Sequence, residues 1–204
     1  MLISSKDISL REWISSDMPA LEILANDPEI SYNVGPIFPY NRIEKRFDYD
    51  IAAKYMQTTS DQKNLAITFR GELVGGAGLV KDKENPLQAK GHTWLSKSFR
   101  GKGIGSECMK LATIVAFYEL DYEQIERRAY DWNTASIKAV NKTGYEFLGI
   151  KESTWDQIKI KEHVYYMDIK RFLEPDIYAI YKSIIETNIP LSKISKIERK
   201  IKKF

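Results

Sequence analysis

Trp94-Leu-Ser-Lys-Ser-Phe-Arg-Gly-Lys-Gly-Ile-Gly-Ser106 decides how this chain reads. An apolar, strand-like run ends in Arg100-Gly-Lys-Gly-Ile-Gly105, and a helical pattern begins directly after it. Glycine reaches positive φ without a Cβ clash and lets backbone approach a ligand closely. A glycine-rich turn feeding a helix start presents free N–H groups at the positive end of the helix dipole. That is an anion cradle, suited to phosphate. Arg100 and Lys102 add two cations at its rim.

Two common phosphate cradles do not fit. The dinucleotide spacing G-x-G-x-x-G, started at Gly101, breaks at Ser106. The P-loop needs a glycine five residues before the Gly101-Lys102 pair, where Ser96 stands. What remains is R-x-x-G-x-G, carried by Arg100, Gly103 and Gly105. Downstream runs Tyr130-Asp-Trp-Asn133-Thr-Ala-Ser136, continuing to Val140-Asn-Lys-Thr-Gly144-Tyr145. Asn133 is a favoured helix N-cap. Gly144 stands where a helix-ending glycine belongs. The stretch between Gly105 and Asn133 holds one helix and one strand.

These two motifs, in this order, resemble the acyl-CoA site of the GCN5-related N-acetyltransferase (GNAT) superfamily. The pattern is most similar to the branch that acetylates ribosomal-protein N-termini, with spermidine acetyltransferases nearby. Ile8-Ser-Leu-Arg11 and the stretch from Asp17 to Leu24 also fit that branch. The resemblance spans roughly residues 5 to 171. It implies an α/β (α+β) fold: a single GNAT-like domain over residues 1–171 with a mixed central sheet of about seven strands flanked by helices. Two neighbouring parallel strands would splay apart, with the pantetheine arm in the gap. A basic helical extension over residues 172–204 lies outside the resemblance.

The implied reaction moves an acetyl group from acetyl-CoA directly to a primary amine, on a small molecule or a protein N-terminus. A non-catalytic acyl-CoA-binding module is the alternative. The cofactor would be held by Trp94, Leu95, Ser96, Arg100, Gly101, Lys102, Gly103, Ile104, Gly105 and Ser106, with Asn133 and Ser136 beyond. A backbone N–H around Leu95 would polarise the thioester carbonyl. Many relatives protonate the departing thiolate with a tyrosine four residues before the helix-ending glycine; here that residue is Val140, which has no proton to give. Ser136, three residues after the capping Asn133, takes that role in the N-terminal-acetylating branch. A small residue making room for the thioester is the other reading of Ser136.

The base is open. Lys90 stands where family members often carry a glutamate. His92 shares a strand face with Lys90 and Trp94, and an unperturbed imidazole near pKa 6.5 suits proton removal at neutral pH. Glu84, in the charged loop before Pro86, is the rival, and a water chain is the third possibility. The acceptor pocket is expected from residues 27–58 and 153–162: Tyr32, Phe38, Tyr40 and Trp155 as walls, and Glu44, Asp48, Asp50 and Asp156 facing a cation.

Composition bounds the rest. The 204 residues suit one domain with a single core. No apolar run approaches the roughly 20 residues of a membrane span, no secretory leader pattern opens the chain, and the single cysteine, Cys108, has no disulfide partner. Cytoplasmic residence is the expectation. Two histidines and one cysteine argue against a dedicated zinc site. Residues 191–204 carry six lysines and arginines against Glu198 alone, within an overall net charge of +3, so the body is not basic and no nucleic-acid partner is expected. In that tail Ile194, Ile197, Ile201 and Phe204 recur at helical spacing opposite the lysines. Packing back on the domain, a homodimer contact, an anionic surface and disorder are its four readings.

Along the chain the pattern predicts strand at 7–13, a helix from an Asp17 cap to about Asn26, and a Pro/Gly-broken stretch to Tyr40. A polar helix follows at 41–58, then strands at 63–69, 72–80 and 89–97. The helix after the glycine loop places Ile104, Cys108, Leu111 and Val115 on one face. Then come strand 125–131, helix 134–143, strands 145–152 and 162–171, and two helical stretches parted by Pro190.

Overall fold

The computed structural model describes residues 2–34, 49–155 and 158–201. Its centre is an eight-stranded sheet, ordered β1-β2-β3-β4-β5-β6-β8-β7. The strands are β1 (Ile3–Ser5), β2 (Ile8–Arg11), β3 (Gln62–Phe69), β4 (Glu72–Lys81), β5 (Gln88–Leu95), β6 (Gln124–Tyr130), β7 (Glu146–Trp155) and β8 (Ile158–Asp168). The helices are α1 (Met18–Ala25), α2 (Pro28–Val34), α3 (Tyr49–Met56), α4 (Ile104–Ile114), α5 (Thr134–Val140), α6 (Ile169–Phe172), α7 (Pro175–Asn188) and α8 (Leu191–Ile201).

Most expected elements appear within a few residues of their predicted bounds. The eighth strand is β1, which lies before the first expected strand (7–13, seen as β2): Lys6 turns at φ 52°, and β1 folds back on β2. The β3–β4 hairpin turns at Arg70 (φ 53°) and Gly71 (φ 85°), the two positive angles a tight hairpin turn requires. The Pro/Gly-broken stretch contains a helix that its composition concealed, α2. Pro28 opens it, and the Asp27 carboxylate accepts the Glu29 N–H at 2.9 Å. Asp17 does not cap α1 through its side chain. Its carboxylate turns back to take a two-pronged contact from Arg11 (2.6 Å each) and the Ile14 N–H (2.9 Å). Of the expected 41–58 helix, residues 49–56 are seen as α3, and residues 41–48 lie outside the described segments.

Strand alternation divides the interior into two cores. Leu65 and Ile67 of β3 turn to α4 and α7; Ala66 turns to Trp13, α1 and α3. Ile104, Cys108, Leu111 and Val115 are all buried, as the helical spacing requires. The C-terminal helices share the first core: Ile177, Tyr181, Ile184, Ile185 and Ile197 belong to it, and the Tyr181 hydroxyl donates to the Thr143 carbonyl. Lys193 and Lys196 pair with Glu119 (2.6 Å) and Asp121 (2.8 Å). Thus α8 packs back on the domain. Phe204 lies outside the described residues.

Candidate active site

The sheet is antiparallel except at one place. β5 and β6 run parallel, in register only from Gln88↔Gln124 to Gly91↔Arg127. Beyond Gly91, β5 follows β4 up to Gly75↔Leu95, while β6 follows β8 up to Tyr130↔Glu162. The two strands therefore part, as the resemblance implied. A cleft of about 940 Å³ opens between them, walled by α2, the glycine loop and α5.

The glycine loop stands at the wide end. Gly101 and Gly103 sit at φ 77° and 80°, and Gly103 begins α4 without any side-chain cap. The first amides of α4, on Ile104, Gly105 and Ser106, have no carbonyl one turn earlier to bond. The Ser106 hydroxyl donates to the Gly103 carbonyl (2.9 Å), and Gly103, Gly105 and Ser106 line the cleft. Gly105 lies in the first turn, yet a Cβ there meets only Leu95 Cδ1, at 3.8 Å. Nothing among the described residues requires glycine at 105, although glycine weakens a helix by about 1 kcal/mol relative to alanine. The bare backbone there leaves room for a close-lying ligand.

β5 supplies the second wall. The Ser96 N–H bonds the Val74 carbonyl (2.9 Å) on β4. Backbone groups alternate along a strand, so the N–H groups of Leu95 and Thr93 face the edge that β6 has left. The Leu95 carbonyl on that edge accepts from Arg100 Nε (2.9 Å). Arg100 is also tied to Asp27 (2.7 Å) and Glu29 (2.6 Å) at the start of α2. It lines the cleft, but its charge is spent on holding α2 against the loop. Lys102 lies over the Phe99 ring at 5.3 Å, outside the cleft lining. The Ile104 side chain is buried in the core, and the Ser96 hydroxyl is buried without a partner in the protein.

Of the expected cofactor set, Trp94, Leu95, Arg100, Gly101, Gly103, Gly105, Ser106, Asn133 and Ser136 line this one cleft. Asn133 caps α5 by accepting the Ser136 N–H at 3.0 Å, which places Ser136 in the first helical turn facing the gap.

The expected base fares differently. His92 is 7% exposed, and neither ring nitrogen has a partner among the described residues. Burial, and secondarily the nearby charge of Arg127, push its pKa down to about 4. It is neutral at pH 7 and holds a proton poorly. The sequence could show a histidine on the right strand, but not that β4 offers two glycines, 76 and 78, whose missing side chains leave room for the Trp94 and His92 rings of β5. Trp94 occupies the space over Gly76 and donates its indole N–H to Tyr55 at 2.8 Å. Glu84 is exposed in the loop and does not reach the cleft lining. The loop is organised instead by Asp82, which accepts the amides of Glu84 (2.9 Å) and Asn85 (3.0 Å) and pairs with Lys90 (2.7 Å). The Lys90 hydrogen bond and those amides hold the Asp82 pKa down to about 2. Lys90 is thus the loop's anchor.

Tyr32 is 55% exposed and does not line the cleft. It stacks on Trp132 (5.0 Å), which stacks on Tyr130 (4.6 Å), fastening α2 to the end of β6. Asp50 is exposed on α3. Phe38, Tyr40, Glu44, Asp48, Asp156 and the Trp155 side chain lie outside the described residues.

Sequence reasoning passed over a polar cluster on the cleft floor. Arg128 of β6 bonds Glu126 (2.7 Å) and Glu162 (3.1 Å), and Ser153 donates to Glu162 (2.9 Å). Two carboxylates share one guanidinium, so this cluster taken by itself holds one more negative than positive charge. The alternation Glu126-Arg-Arg128 was the available signal. Among the described residues no three His, Cys, Asp or Glu side chains are placed to share a metal ion, and no helix is long and apolar enough to cross a membrane.

The cleft suits a coenzyme A donor: helix-end amides for its diphosphate, an unpaired strand edge for an extended arm, and glycines at the closest approach. Comparison with known proteins agrees. Residues 7–146 match the family model described as "Acetyltransferase (GNAT) domain", and the chain belongs to that family of acetyl-CoA-dependent acetyltransferases. Similar solved structures include Mycobacterium smegmatis RimJ in complex with CoA-disulfide (TM-score 0.72, 14% identity, 86% of this chain and 88% of that one). RimL, a ribosomal L7/L12 α-N-protein acetyltransferase with coenzyme A, is another (0.69, 17%, 82% and 97%). A third is Vibrio cholerae spermidine N-acetyltransferase with CoA and spermine (0.66, 16%, 82% and 99%).

Proposed function

We propose that this protein transfers the acetyl group of acetyl-CoA to a primary amine, with an α-amine or similarly acidic amine as the favoured acceptor. The carrying observation is one cleft in which the helix-end amides of α4 and the unpaired edge of β5 meet the carboxylate pair Glu126 and Glu162. Acetyl-CoA supplies an activated acyl group as its thioester. The amides of Ile104, Gly105 and Ser106 hold its diphosphate at the helix end. The N–H groups of Thr93 and Leu95 lie along the gap as donors to the carbonyl oxygen, where negative charge develops. Glu126 and Glu162 attract a protonated amine to the opposite side of the sheet. Ser136 offers a hydroxyl proton on the α5 side.

Neutral, buried His92 is a poor base and the cleft carboxylates Glu126 and Glu162 are engaged by Arg128, so among the described residues the acceptor's proton goes largely to water. An α-amine has pKa about 7.7–8.0 and a lysine amine about 10.4. Near pH 7 the α-amine is deprotonated a few hundred times more often. With no strong base, that ratio passes into the rate. Peptides bearing a free N-terminus, lysine-only peptides blocked at the N-terminus, and polyamines should be compared by release of free thiol from acetyl-CoA. Free N-termini should turn over fastest at pH 7. Faster turnover of the blocked lysine peptides would reject the α-amine preference, and no acylation of any amine would reject the transferase reading.

A further inference from the structure

Arg127 is a buried cleft-lining cation that the site described above does not use. It occupies the last rung of the β5–β6 ladder, opposite Gly91, where the strands begin to part. It is 3% exposed. Among the described residues its Nε has no partner, and Nη2 reaches only the Met109 carbonyl, at 3.5 Å. Its guanidinium lies 5.6 Å from the Tyr145 ring centre. Arg100 and Arg128, on the same cleft, are matched by carboxylates. Arg127 has no carboxylate partner among the described residues. Burial keeps Cys108 and Tyr181 protonated and His92 neutral, so these neighbours do not balance its charge.

A buried, uncompensated guanidinium is costly. Its surroundings are nonetheless built around it. A Cβ at Gly91 would stand 3.0 Å from Cζ, so glycine on β5 leaves the guanidinium its space. The Thr93 hydroxyl, two residues further along β5 and on the same side of the strand, is also buried without a partner. These unpartnered polar groups stand at the narrow end of the gap. The diphosphate cradle stands at the wide end, directly after Leu95. A donor anchored there runs down the gap with its thioester leading, and the acyl chain beyond the carbonyl comes nearest the narrow end. An acetyl methyl offers Arg127 nothing.

We propose that Arg127, assisted by Thr93, binds the terminal carboxylate of a short dicarboxylic acyl group, so that the protein also takes succinyl-CoA-class donors and transfers the carboxyacyl group. The inference rests on the acyl-CoA reading of the cleft. In the transfer the amine nitrogen forms the bond to the thioester carbon, and the C–S bond breaks with its electron pair on sulfur. The nitrogen gives its proton to water. The carboxylate, paired with Arg127, is unchanged, and the product is an ω-carboxyamide.

The test is calorimetric binding of succinyl-CoA, butyryl-CoA and acetyl-CoA to the full chain, with no amine present. Succinyl and butyryl match in chain length and differ in the carboxylate. A charge-assisted contact contributes about 1.5–3 kcal/mol, so succinyl-CoA should bind roughly 10- to 100-fold tighter than butyryl-CoA. Arg127→Met should erase that preference while binding acetyl-CoA as before. Equal or weaker binding of succinyl-CoA by the unaltered protein would overturn the proposal without any variant. So would an Arg127→Met variant that keeps the preference, or one that loses turnover with acetyl-CoA at an unchanged binding ratio. Failure of the transferase reading is separate: it would appear as donor preference intact but no amine modified. Acetyl transfer without succinyl preference would leave that reading standing and remove this one.

Discussion

Gly78 and His92 face each other across the β4–β5 ladder, and the imidazole of His92 fills the space that any side chain at 78 would need. A Cβ placed at Gly78 falls inside the ring, with the Asn64 carbonyl oxygen 2.8 Å away on its other side. Asn64 cannot yield easily, because its amide donates to the Tyr55 carbonyl at 2.7 Å. Overpacking of this kind typically costs about 1–3 kcal/mol. Gly78→Ala should lower stability by that amount in urea unfolding, and adding His92→Ala should relieve only the ring's share of the clash, because Asn64 still crowds the new methyl group.

The same histidine makes stability depend on pH. Its pKa is about 4 when folded and about 6.5 when free. Between those values the unfolded chain binds the proton and the native protein does not, so stability rises with pH across that window. The contribution is complete above about pH 6.5, and it is lost as pH falls to about 4. Its size is on the order of 3 kcal/mol. His92→Gln should flatten the stability profile in that range. The Asp82 carboxylate, lowered to about 2 by Lys90 and its loop amides, acts in a more acidic window. An unchanged slope in His92→Gln would contradict the buried neutral imidazole.

Gly103 and Gly105 should separate folding from binding. Gly103 holds φ 80°, which costs an alanine roughly 1–2 kcal/mol. Gly103→Ala should therefore destabilise the protein. Gly105→Ala has ordinary φ and open space, and alanine favours the helix, so its melting temperature should hold or rise. Its affinity for coenzyme A should nevertheless fall several-fold, because the added methyl group lies at the helix-end amides.

Asn133 and Ser136 divide similarly. Removing the cap by Asn133→Ala should cost about 1 kcal/mol in unfolding. Ser136→Ala should leave stability within error and reduce kcat by about 10²-fold if its hydroxyl supplies the leaving-group proton. Full activity in Ser136→Ala would reduce it to a small residue beside the thioester.

Local pattern carried most of the architecture. The cradle, the capping Asn133 and the buried face of α4 each follow from side chains near one another in the chain, where backbone angles and helical spacing are decided. The parted strands came from family resemblance, and the register between β5 and β6 bears them out. Legibility failed where distant segments meet. Arg100 looked like a free cation because Asp27 and Glu29 lie some seventy residues earlier. Lys90 looked like a displaced catalytic position until Asp82 was seen to bind it. Tyr32 looked like a pocket wall, and it is a fastening for α2.

The chain's own order of residues was enough to expect an anion cradle at the start of α4, since glycine torsions and helix-end amides are short-range properties. It could not say which charged or titratable groups are stripped of water. His92 and Arg127 read as ordinary polar residues on two strands. Their character comes from being packed, one over the glycines of β4 and the other against α4 and Tyr145, because desolvation depends on what covers a group and not on which residues adjoin it.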